Sequence, residues 1–497
     1  MILTIETLQQ TLTILLPLFF LYILSTAIYN RYFHPLRHFP GPFWASLTSL
    51  WYCQTIRFGK ARNVQHALHR QYGDFVRIGP NYLAVSDPSA IETIFGPKNG
   101  AVWRKGNFYD GFDVHIPNAR TDSFSERNEA KHSERRRLVA SLYTQGNVLK
   151  YEPCVDRLID CFRGKMGELS ESGEATDMSV WLTRYTFDVI GEIYHGRREG
   201  FGMVRDGRDY NNWCYLMEVM PDIGASVTYL PWGLRTGFFA AHLVFRRARD
   251  GLRGMQDVVR QAERSVNQRW NAMQQQDEGD ALPNDILTGL LEIVREKGQQ
   301  VRWTVADVMT EVWAVIWAGS DTTACALNGI FYHLHKNPVK LAKLRREIDA
   351  AFDDGRLAYP LRFNDARKLP YLHAVVMESM RVHPSLGFGL PREVPAGGAD
   401  LCGTFIPENV EVIMNSGAVH FDKRAFGEDA DDWIPERWLG DAAVARQMER
   451  SMLQFGYGPR MCIGKYISEI EMYKLLPTIL KEFEFDLLVD HWDVHAM

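Results

Sequence analysis

The sequence contains no C-x-x-C pair and no cluster of cysteine and histidine. Its seven cysteines are odd in number and scattered along the chain. These features argue against a zinc site and against a disulfide framework. We therefore expect the bulk of the chain to lie in a reducing compartment, where free thiols persist.

An excess of positive charge is also absent, since the chain has 56 lysines and arginines but 61 aspartates and glutamates, which gives a net charge of −5. No basic footprint for nucleic acid is visible, and we expect no nucleic-acid partner. The 497 residues are 46% hydrophobic, which is ample for a large core. Length alone would suit two or three domains.

One long apolar run stands near the N-terminus. No charge falls between Glu6 and Arg31, and residues 12–29 with their flanks are long enough to cross a bilayer as a helix. A cleaved signal peptide is the alternative, but a basic n-region and a convincing cleavage site are lacking. Because Arg31 and Arg37 follow the run, the positive-inside rule predicts a lumenal N-terminus and a cytoplasmic remainder.

A glycine-rich stretch, FGYGPRMCIG at residues 455–464, places Cys462 directly before a predicted helix. The free N–H groups and the dipole of a helix N-terminus favour a thiolate. Gly456 and Gly458 let the backbone pass close to a flat ligand, and Arg460 offers a planar cation for a carboxylate. Together these features describe a haem site. The alternative is a buried structural cysteine in a glycine-rich turn.

The pattern Phe-x-x-Gly-x-Arg-x-Cys-x-Gly resembles the haem-ligand motif of the cytochrome P450 superfamily, and the resemblance covers nearly the whole chain. It implies a mainly α fold, with one large helical domain, a small β-sheet region and an N-terminal transmembrane helix. The implied boundaries are residues 1–33 for the membrane anchor and 34–497 for the haem-thiolate monooxygenase domain. Cys462 would be the axial ligand of the haem iron, and Phe455 would be a further haem-binding residue.

The longest predicted helix begins at Thr304, whose capping box with Asp307 would satisfy free N–H groups. It ends near His335, because Pro338 disfavours helix in the residue before it. Its middle is apolar apart from a short polar group, and buried polar groups cost free energy unless they find partners. A glycine and threonine kink in a core helix is one interpretation.

The polar group reads AGSDTT and resembles the oxygen-activation motif of the same superfamily. The resemblance implies that Gly319 and Thr322 open a groove for O₂ and water. It also implies that Asp321 and Thr322 are catalytic and deliver protons for cleavage of the O–O bond. Glu311 lies on the same helix face, where a contact with substrate is one interpretation and a solvent-exposed or ion-paired carboxylate is the other.

Four basic residues would bind the haem propionates according to the resemblance. His132 and Arg136 are four residues apart and share a helix face, and Arg392 and Arg460 lie in later segments. A basic patch for an acidic partner, or only a solvated face, is expected from four further residues: Lys131, Arg135, Arg137 and Lys465.

A glutamate and an arginine three residues apart, Glu378 and Arg381, would by themselves be a weak surface pair. The resemblance joins them to Arg437 in a buried network that holds the cysteine loop. Bidentate arginine–carboxylate pairs supply the rigidity that such a loop needs. The implied role of all three residues is structural.

The substrate pocket is expected beside a long loop between residues 96 and 130. The candidates for its wall are aromatic: Phe108, Tyr109 and Phe112. Exposed loop aromatics are the alternative. Leu386 and Phe388 are further candidate contacts with substrate. Two alternating runs, residues 75–78 and 82–85, are separated by Gly-Pro-Asn and predict a β-hairpin.

The predicted activity is haem-thiolate monooxygenation of an apolar small molecule. The Pro40-Gly41-Pro42 hinge and His132 resemble fungal microsomal members of the pisatin-demethylase-like group, which implies a tailoring step in secondary-metabolite biosynthesis. The same site could instead run an oxidative rearrangement, a desaturation or a coupling. A membrane-anchored helical scaffold without haem is a third hypothesis, which predicts no bound chromophore.

No flavin or dinucleotide motif is present, so electrons must come from a partner. The resemblance implies NADPH–cytochrome P450 reductase, with cytochrome b5 as an additional candidate. It also implies a single span in the endoplasmic reticulum membrane with the catalytic domain facing the cytoplasm. Family members usually continue after the last helix into a β-hairpin, whereas about twelve residues follow Phe485 here. A shortened haem-binding paralogue without turnover is therefore a further alternative.

Overall fold

Helices dominate the part of the chain that the computed structural model describes, which is residues 5–96, 103–113, 116–230, 232–275 and 282–488. These ranges contain 22 α-helices and seven short strands, which confirms the predicted mainly α class. The α-helices are α1 (Ile5–Tyr32), α2 (Phe43–Leu47), α3 (Leu50–Arg57), α4 (Ala61–Tyr72), α5 (Ala90–Phe95), α6 (Glu129–Val139), α7 (Gln145–Val148), α8 (Glu152–Ser172), α9 (Met178–His195), α10 (Met203–Asp206), α11 (Trp213–Thr228), α12 (Trp232–His242), α13 (Arg246–Gln275), α14 (Ile286–Val301), α15 (Val305–Lys336), α16 (Pro338–Asp353), α17 (Phe363–Ala366), α18 (Pro370–Val382), α19 (Ser416–Val419), α20 (Lys423–Phe426), α21 (Ala442–Arg450) and α22 (Lys465–Glu482).

The strands form two small sheets. Their bounds are β1 (Phe75–Gly79), β2 (Tyr82–Val85), β3 (Arg104–Lys105), β4 (Arg392–Glu393), β5 (Ala399–Leu401), β6 (Thr404–Ile406) and β7 (Glu411–Ile413). The larger sheet has the order β1-β2-β7-β4-β3, with β2 and β7 parallel and the other neighbours antiparallel. The predicted hairpin is confirmed as β1 and β2, with Val76 opposite Ala84. Strands β5 and β6 pair by themselves.

Helix α15 runs through the main hydrophobic core and packs against α9, α13 and α18. The predicted capping box is present, because the Thr304 hydroxyl accepts from the Asp307 N–H and the Asp307 carboxylate accepts from the Thr304 N–H. The helix ends at Lys336, just before Asn337 and Pro338. The element that carries the AGSDTT motif is therefore a continuous helix of 32 residues.

Helix α1 differs from the others because its large apolar side chains between Ile14 and Tyr32 are exposed. Its stretch Thr13–Tyr32 has a mean hydropathy of 1.7, and it is long and apolar enough to cross a membrane by length and composition. The Asn30 side chain donates to the Leu47 carbonyl at 3.1 Å and so links the end of α1 to α2. The segment that contains α2 is thus joined directly to the apolar helix.

The region between residues 96 and 130 contains more structure than the sequence indicates. A 3-10 helix covers Asn107–Gly111, and the side chains of Phe108 and Tyr109 are fully buried. The alternative of exposed aromatics is wrong for these two residues, because they belong to a buried cluster of aromatic and aliphatic side chains from six other elements. At the other end of the chain, the tail after Phe485 falls partly in residues 489–497, which lie outside the described residues.

Candidate functional site

The loop that carries Cys462 is held in a tight conformation by its own backbone. The Cys462 N–H donates to the Phe455 carbonyl at 2.7 Å, and the Gly456 N–H donates to the Leu453 carbonyl at 2.8 Å. Gly456 and Gly458 have φ values of 69° and 66°, which side chains other than glycine rarely adopt. A Cβ at Gly458 would also lie 2.0 Å from a carbonyl oxygen of the neighbouring helix α5. Helix α22 begins immediately after this loop, at Lys465.

The exposure and the desolvation of Cys462 together indicate that its thiol faces an internal space. Its side chain is exposed, yet burial is the main influence on its pKa, which it raises. The backbone N–H groups of Gly464 and Lys465 and the cation of Arg136 act in the opposite direction. Helix N-terminal N–H groups and a guanidinium are what a thiolate ligand requires. This sulfur can therefore bind a cation that enters the space.

The middle of α15 also faces an internal space. Ala318 is exposed, and Asp321 and Thr322 are half-buried, although buried residues precede and follow them in the helix. The Thr322 hydroxyl donates to the Ala318 carbonyl at 2.7 Å, and the Ser385 hydroxyl donates to the Thr322 carbonyl at 2.7 Å. Burial raises the pKa of Asp321 to about 7. A carboxyl group with this pKa can both hold and release a proton near neutral pH.

Gly319 has a packing reason to be glycine. A Cβ at this position would lie 2.5 Å from Ile190 Cδ1, so the residue allows α9 to approach α15 closely. The polar residues that follow it remain within an unbroken helix. The motif therefore does not interrupt α15, while a bend of the helix axis at this point stays an interpretation of the sequence.

The four basic residues assigned to the propionates come together with a fifth. His132 is buried, and its pKa is lowered to about 3 by burial and then by four cations. In order of effect, these cations are Arg460, Lys105, Arg136 and Arg392. The structure therefore gathers residues from β3, α6, β4 and the cysteine loop. Arg136 also acts on Cys462, so this cation cluster adjoins the thiol.

Lys105 is the member of the cation cluster that sequence reasoning missed. It is buried, its ammonium group donates to the Phe124 carbonyl, and it lies 4.4 Å from the centroid of the Tyr109 ring. Burial and the charges of Arg392 and Arg460 hold its pKa well below the usual range. A single lysine in a two-residue strand leaves no periodic pattern, so the sequence carried no signal for it.

The positive charge of this cluster is only partly compensated. Arg460 binds Glu129 through two hydrogen bonds of 3.1 and 2.7 Å. Arg392 donates to the Tyr109 hydroxyl at 2.6 Å. Across the described ranges, Glu129 is the only carboxylate that forms an ion pair with any of the four cations. Because buried charges need partners, the cluster suits a ligand with two carboxylates, and its residues therefore fit the propionates of haem.

Arg135 does not belong to a surface patch, so the prediction for this residue is wrong. Its guanidinium is buried and forms an ion pair with Glu311 of α15. It also donates to the Thr121 carbonyl at 2.7 Å, while the Ser123 hydroxyl donates to Glu311 at 2.8 Å. For Glu311, the ion-paired interpretation is confirmed and the exposed one is wrong. Lys131 and Arg137 are exposed on the other faces of α6.

The network below the cysteine loop is buried. Glu378 accepts hydrogen bonds from both nitrogens of the Arg381 fork, at 2.8 and 2.9 Å, and from Arg437 at 2.9 Å. The N–H groups of Ile434 and Trp438 also donate to this carboxylate. Burial would raise the pKa of Glu378, but these partners hold it below its usual value. The alternative of a surface pair is therefore wrong.

The candidate pocket wall is a cluster of aromatic rings. The Phe108 ring lies 5.0 Å from Phe112, 5.6 Å from Phe388 and 4.8 Å from Tyr229, measured between centroids. The segment that carries Phe388 is fixed by hydrogen bonds to its backbone, including one of 2.6 Å from the Tyr229 hydroxyl to the Gly389 carbonyl. Residues far apart in the chain thus form one apolar cluster, in which Phe108 is fully buried and Phe112 is half-buried.

Comparisons with known proteins agree with this architecture. A model of the family described as "Cytochrome P450" matches residues 38–494. The chain is 37% identical to cytochrome P450 monooxygenase gsfF of Penicillium aethiopicum over 95% of this chain and 93% of that protein. It is 36% identical to cytochrome P450 monooxygenase cicH of Emericella nidulans over 96% and 93% of the two chains. It is 34% identical to a pisatin demethylase of Fusarium vanettenii over 95% and 88%.

Proposed function

Since the chain belongs to the cytochrome P450 family, whose members are haem-thiolate monooxygenases, we propose that it inserts oxygen into an apolar small molecule. The observation that carries this proposal is the position of Cys462. Its sulfur faces an internal space beside a cluster of buried, partly uncompensated cations. A thiolate and a carboxylate-binding cluster at one site are what haem requires.

In this proposal the Cys462 sulfur would bind the haem iron, and haem would supply the activation of O₂. Lys105, Arg136, Arg392 and Arg460 balance the two propionates, with His132 as an uncharged neighbour. Phe455 lies in the cysteine loop, where its ring is 5.7 Å from the Lys465 ammonium. These residues bind and orient the cofactor.

In this proposal Asp321 of α15 serves as a proton donor in the reaction. The Thr322 hydroxyl beside it serves as a hydrogen-bonding group. The internal exposure of Ala318, Asp321 and Thr322 leaves room there for a small molecule and water. The pKa of Asp321 allows it to hold a proton near neutral pH and then release it. Gly319 keeps this part of α15 packed on α9.

Glu378, Arg381 and Arg437 have a structural role in the proposal. Their charge-assisted hydrogen bonds are almost fully desolvated, so they fix α18 to the segment of residues 420–438 that precedes the cysteine loop. Removing one partner would leave a buried charge unpaired, which costs about 3–5 kcal/mol. The network therefore keeps the haem site rigid without touching substrate.

Members of this family generally take electrons from a redox partner. We propose NADPH–cytochrome P450 reductase for this chain, with cytochrome b5 as a second donor. The exposed cations Lys131 and Arg137, together with Lys465, would attract an acidic partner. Such attraction weakens as salt screens the charges, so a reduction rate that does not change with ionic strength would refute this part.

The N-terminal helix is proposed as a membrane anchor of residues 1–33, followed by the catalytic domain of residues 34–497. Its exposed apolar surface continues into Phe43 and Trp44 of α2. We propose a single span in the endoplasmic reticulum membrane, with the catalytic domain in the cytoplasm. Protease treatment of sealed microsomes should digest the domain from outside, and protection of the domain would refute the orientation.

The substrate is proposed to be an apolar secondary metabolite, oxidised in a tailoring step. Phe112, which is half-buried against the Phe108 ring, and its aromatic neighbours support an apolar and partly flat molecule. A relative is named pisatin demethylase, which shows that a related chain acts on a compound of that name. Incorporation of labelled oxygen from ¹⁸O₂ into product would distinguish monooxygenation from desaturation, rearrangement or coupling.

The direct test of the haem site is the absorption spectrum of the reduced protein with carbon monoxide, measured beside Cys462→Ala. We expect a strongly red-shifted Soret band that the substitution abolishes. Cys402→Ala is the matched control, because Cys402 is exposed in the β5–β6 turn. A wild-type spectrum of histidine-ligated or free haem would refute the proposal.

A further inference from the structure

His420 connects two parts of the proposed haem site that are distant in sequence. It follows α19, and its side chain is fully buried. On one side of it lies Arg381 of α18, and on the other lies Leu453 at the start of the cysteine loop. The residue belongs to none of the motifs that the sequence suggested.

The hydrogen-bond partners of the two His420 ring nitrogens show which of the two carries the hydrogen atom. Nε2 lies 2.7 Å from the Leu453 backbone nitrogen, whose N–H can only donate, so Nε2 must accept. Nδ1 lies 3.0 Å from the Arg381 carbonyl oxygen, which can only accept, so Nδ1 must carry the hydrogen. The ring is therefore held as one neutral tautomer. Burial lowers the pKa of His420 to about 3, in agreement with an uncharged ring.

Arg381 holds His420 from the other direction as well. Its guanidinium donates to the His420 carbonyl at 2.7 Å, while the imidazole donates to the Arg381 carbonyl. The same guanidinium is bound by Glu378. The position of the His420 ring is thus set by the buried network, through both its backbone and its side chain.

From His420 the connection continues into the cysteine loop. Leu453, which donates to the imidazole, accepts from the Gly456 N–H at 2.8 Å. Further along the loop, the Cys462 N–H donates to the Phe455 carbonyl at 2.7 Å. Within the described residues, no other hydrogen bond joins Arg381 or His420 to this loop.

We propose that His420 is a positioning residue that transmits the rigidity of the Glu378–Arg381 pair to the cysteine loop, and so sets the position of the Cys462 sulfur. This role rests on the proposed haem-thiolate function. His420 touches neither haem nor substrate in this arrangement. It acts through one hydrogen bond, the one to the Leu453 N–H.

Two amide substitutions separate the two hydrogen bonds. In His420→Asn, the side-chain nitrogen falls near the place of Nδ1 and can still donate to Arg381, but the amide is too short to reach Leu453. In His420→Gln, the side-chain oxygen can reach the place of Nε2 and accept from Leu453. Both variants are polar and uncharged, so they disturb the buried environment in a similar way.

The measured quantity is the ratio of thiolate-ligated to displaced haem in the reduced, carbon-monoxide-bound spectrum of the full-length purified protein. The ferric–ferrous midpoint potential is measured on the same samples. An unpaired buried N–H should lower the ratio about tenfold in His420→Asn and shift the potential, while His420→Gln stays within about twofold of wild type. Equal ratios and potentials in wild type and His420→Asn would overturn the proposal.

His195→Asn is the matched control. His195 is also buried, its pKa is also lowered to about 3, and its ring is bonded to Ser265 between α9 and α13. This substitution should lower thermal stability without changing the haem ratio or the potential. If it changes them as much as His420→Asn does, the effect is general destabilisation and the proposal is wrong. A wild-type protein without the thiolate band would instead refute the proposed function.

Discussion

Replacing Arg135 with methionine should destabilise the protein strongly, although sequence reasoning placed this residue on a surface patch. The side chains of Arg135 and Glu311 are 2% and 9% exposed, so their ion pair is almost fully desolvated. The guanidinium also lies 5.1 Å from the centroid of the Trp303 ring. Methionine retains most of the packing volume but leaves the Glu311 carboxylate with the Ser123 hydroxyl as its remaining donor.

The expected cost follows from the burial of the pair. Removing one partner of a buried ion pair costs about 3–5 kcal/mol, because the other charge is left without compensation. For a chain of this size the entropy of unfolding is about 1 kcal/mol/K near the melting temperature. The apparent Tm of Arg135→Met should therefore fall by about 3–5 °C.

The assay is thermal unfolding of the haem-bound protein, followed by circular dichroism at one scan rate and one protein concentration. Arg137→Met is the control, since Arg137 is exposed on the same helix and, among the described residues, bonds only to the Ser133 carbonyl of that helix. A surface substitution of this kind changes stability by about 0.5 kcal/mol or less. The two variants remove the same charge, so net charge cannot explain a difference between them.

A double variant, Arg135→Met with Glu311→Met, tests the reason for the loss. An apolar pair of similar volume leaves no unpaired buried charge, so the double variant should recover much of the stability. The reasoning is refuted if Arg135→Met is no less stable than Arg137→Met. It is also refuted if the double variant is less stable than Arg135→Met by the full cost of a second independent loss.

Three further predictions concern the site. Because the pKa of Asp321 is raised, its ionisation opposes folding as the pH rises from about 4 to about 7. Asp321→Asn should therefore raise Tm relative to wild type at pH 8 but not at pH 4. An equal difference in Tm at both pH values would contradict this prediction. Lys105→Met should weaken haem retention about tenfold to a hundredfold, measured as transfer of haem to apomyoglobin, because a charge-assisted hydrogen bond is lost. Lys131→Met, on an exposed face, should have no effect. Equal retention in the two variants would refute the assignment of Lys105. Gly456→Ala places a side chain at a φ of 69° with no atom nearer than 3.9 Å, and it should cost about 1–2 kcal/mol of stability. Gly458→Ala adds a contact of 2.0 Å and should cost clearly more in thermal unfolding. Equal costs would show that the close approach to α5 is not formed.

The parts of the fold that the sequence predicted are those with local causes. The capping box at Thr304 depends on residues three apart, and the β1–β2 hairpin depends on alternation around a turn. The apolar run of α1 is likewise visible within a single window. The motif around Cys462 was informative because glycines, an arginine and a cysteine stand at short fixed spacings.

The parts that the sequence did not predict involve partners that are distant in the chain. Arg135 could not be assigned, because a basic helix face looks the same whether its partner is water or a carboxylate 176 residues away. Lys105 entered the cation cluster only through the pairing of β3 with β4. His420 acquired its role because α18 and the cysteine loop meet on either side of its ring.

The sequence by itself thus determined the chemistry that is available: a thiol before a helix, an acid and a hydroxyl in an apolar helix, and an apolar N-terminal segment. The tertiary structure alone decided which charges are buried and which partners they meet. The physical reason is that helix caps, turns and hydrophobic periodicity act over a few residues. Desolvation and charge pairing, in contrast, depend on every element packed around a group, and those elements come from the whole length of the chain.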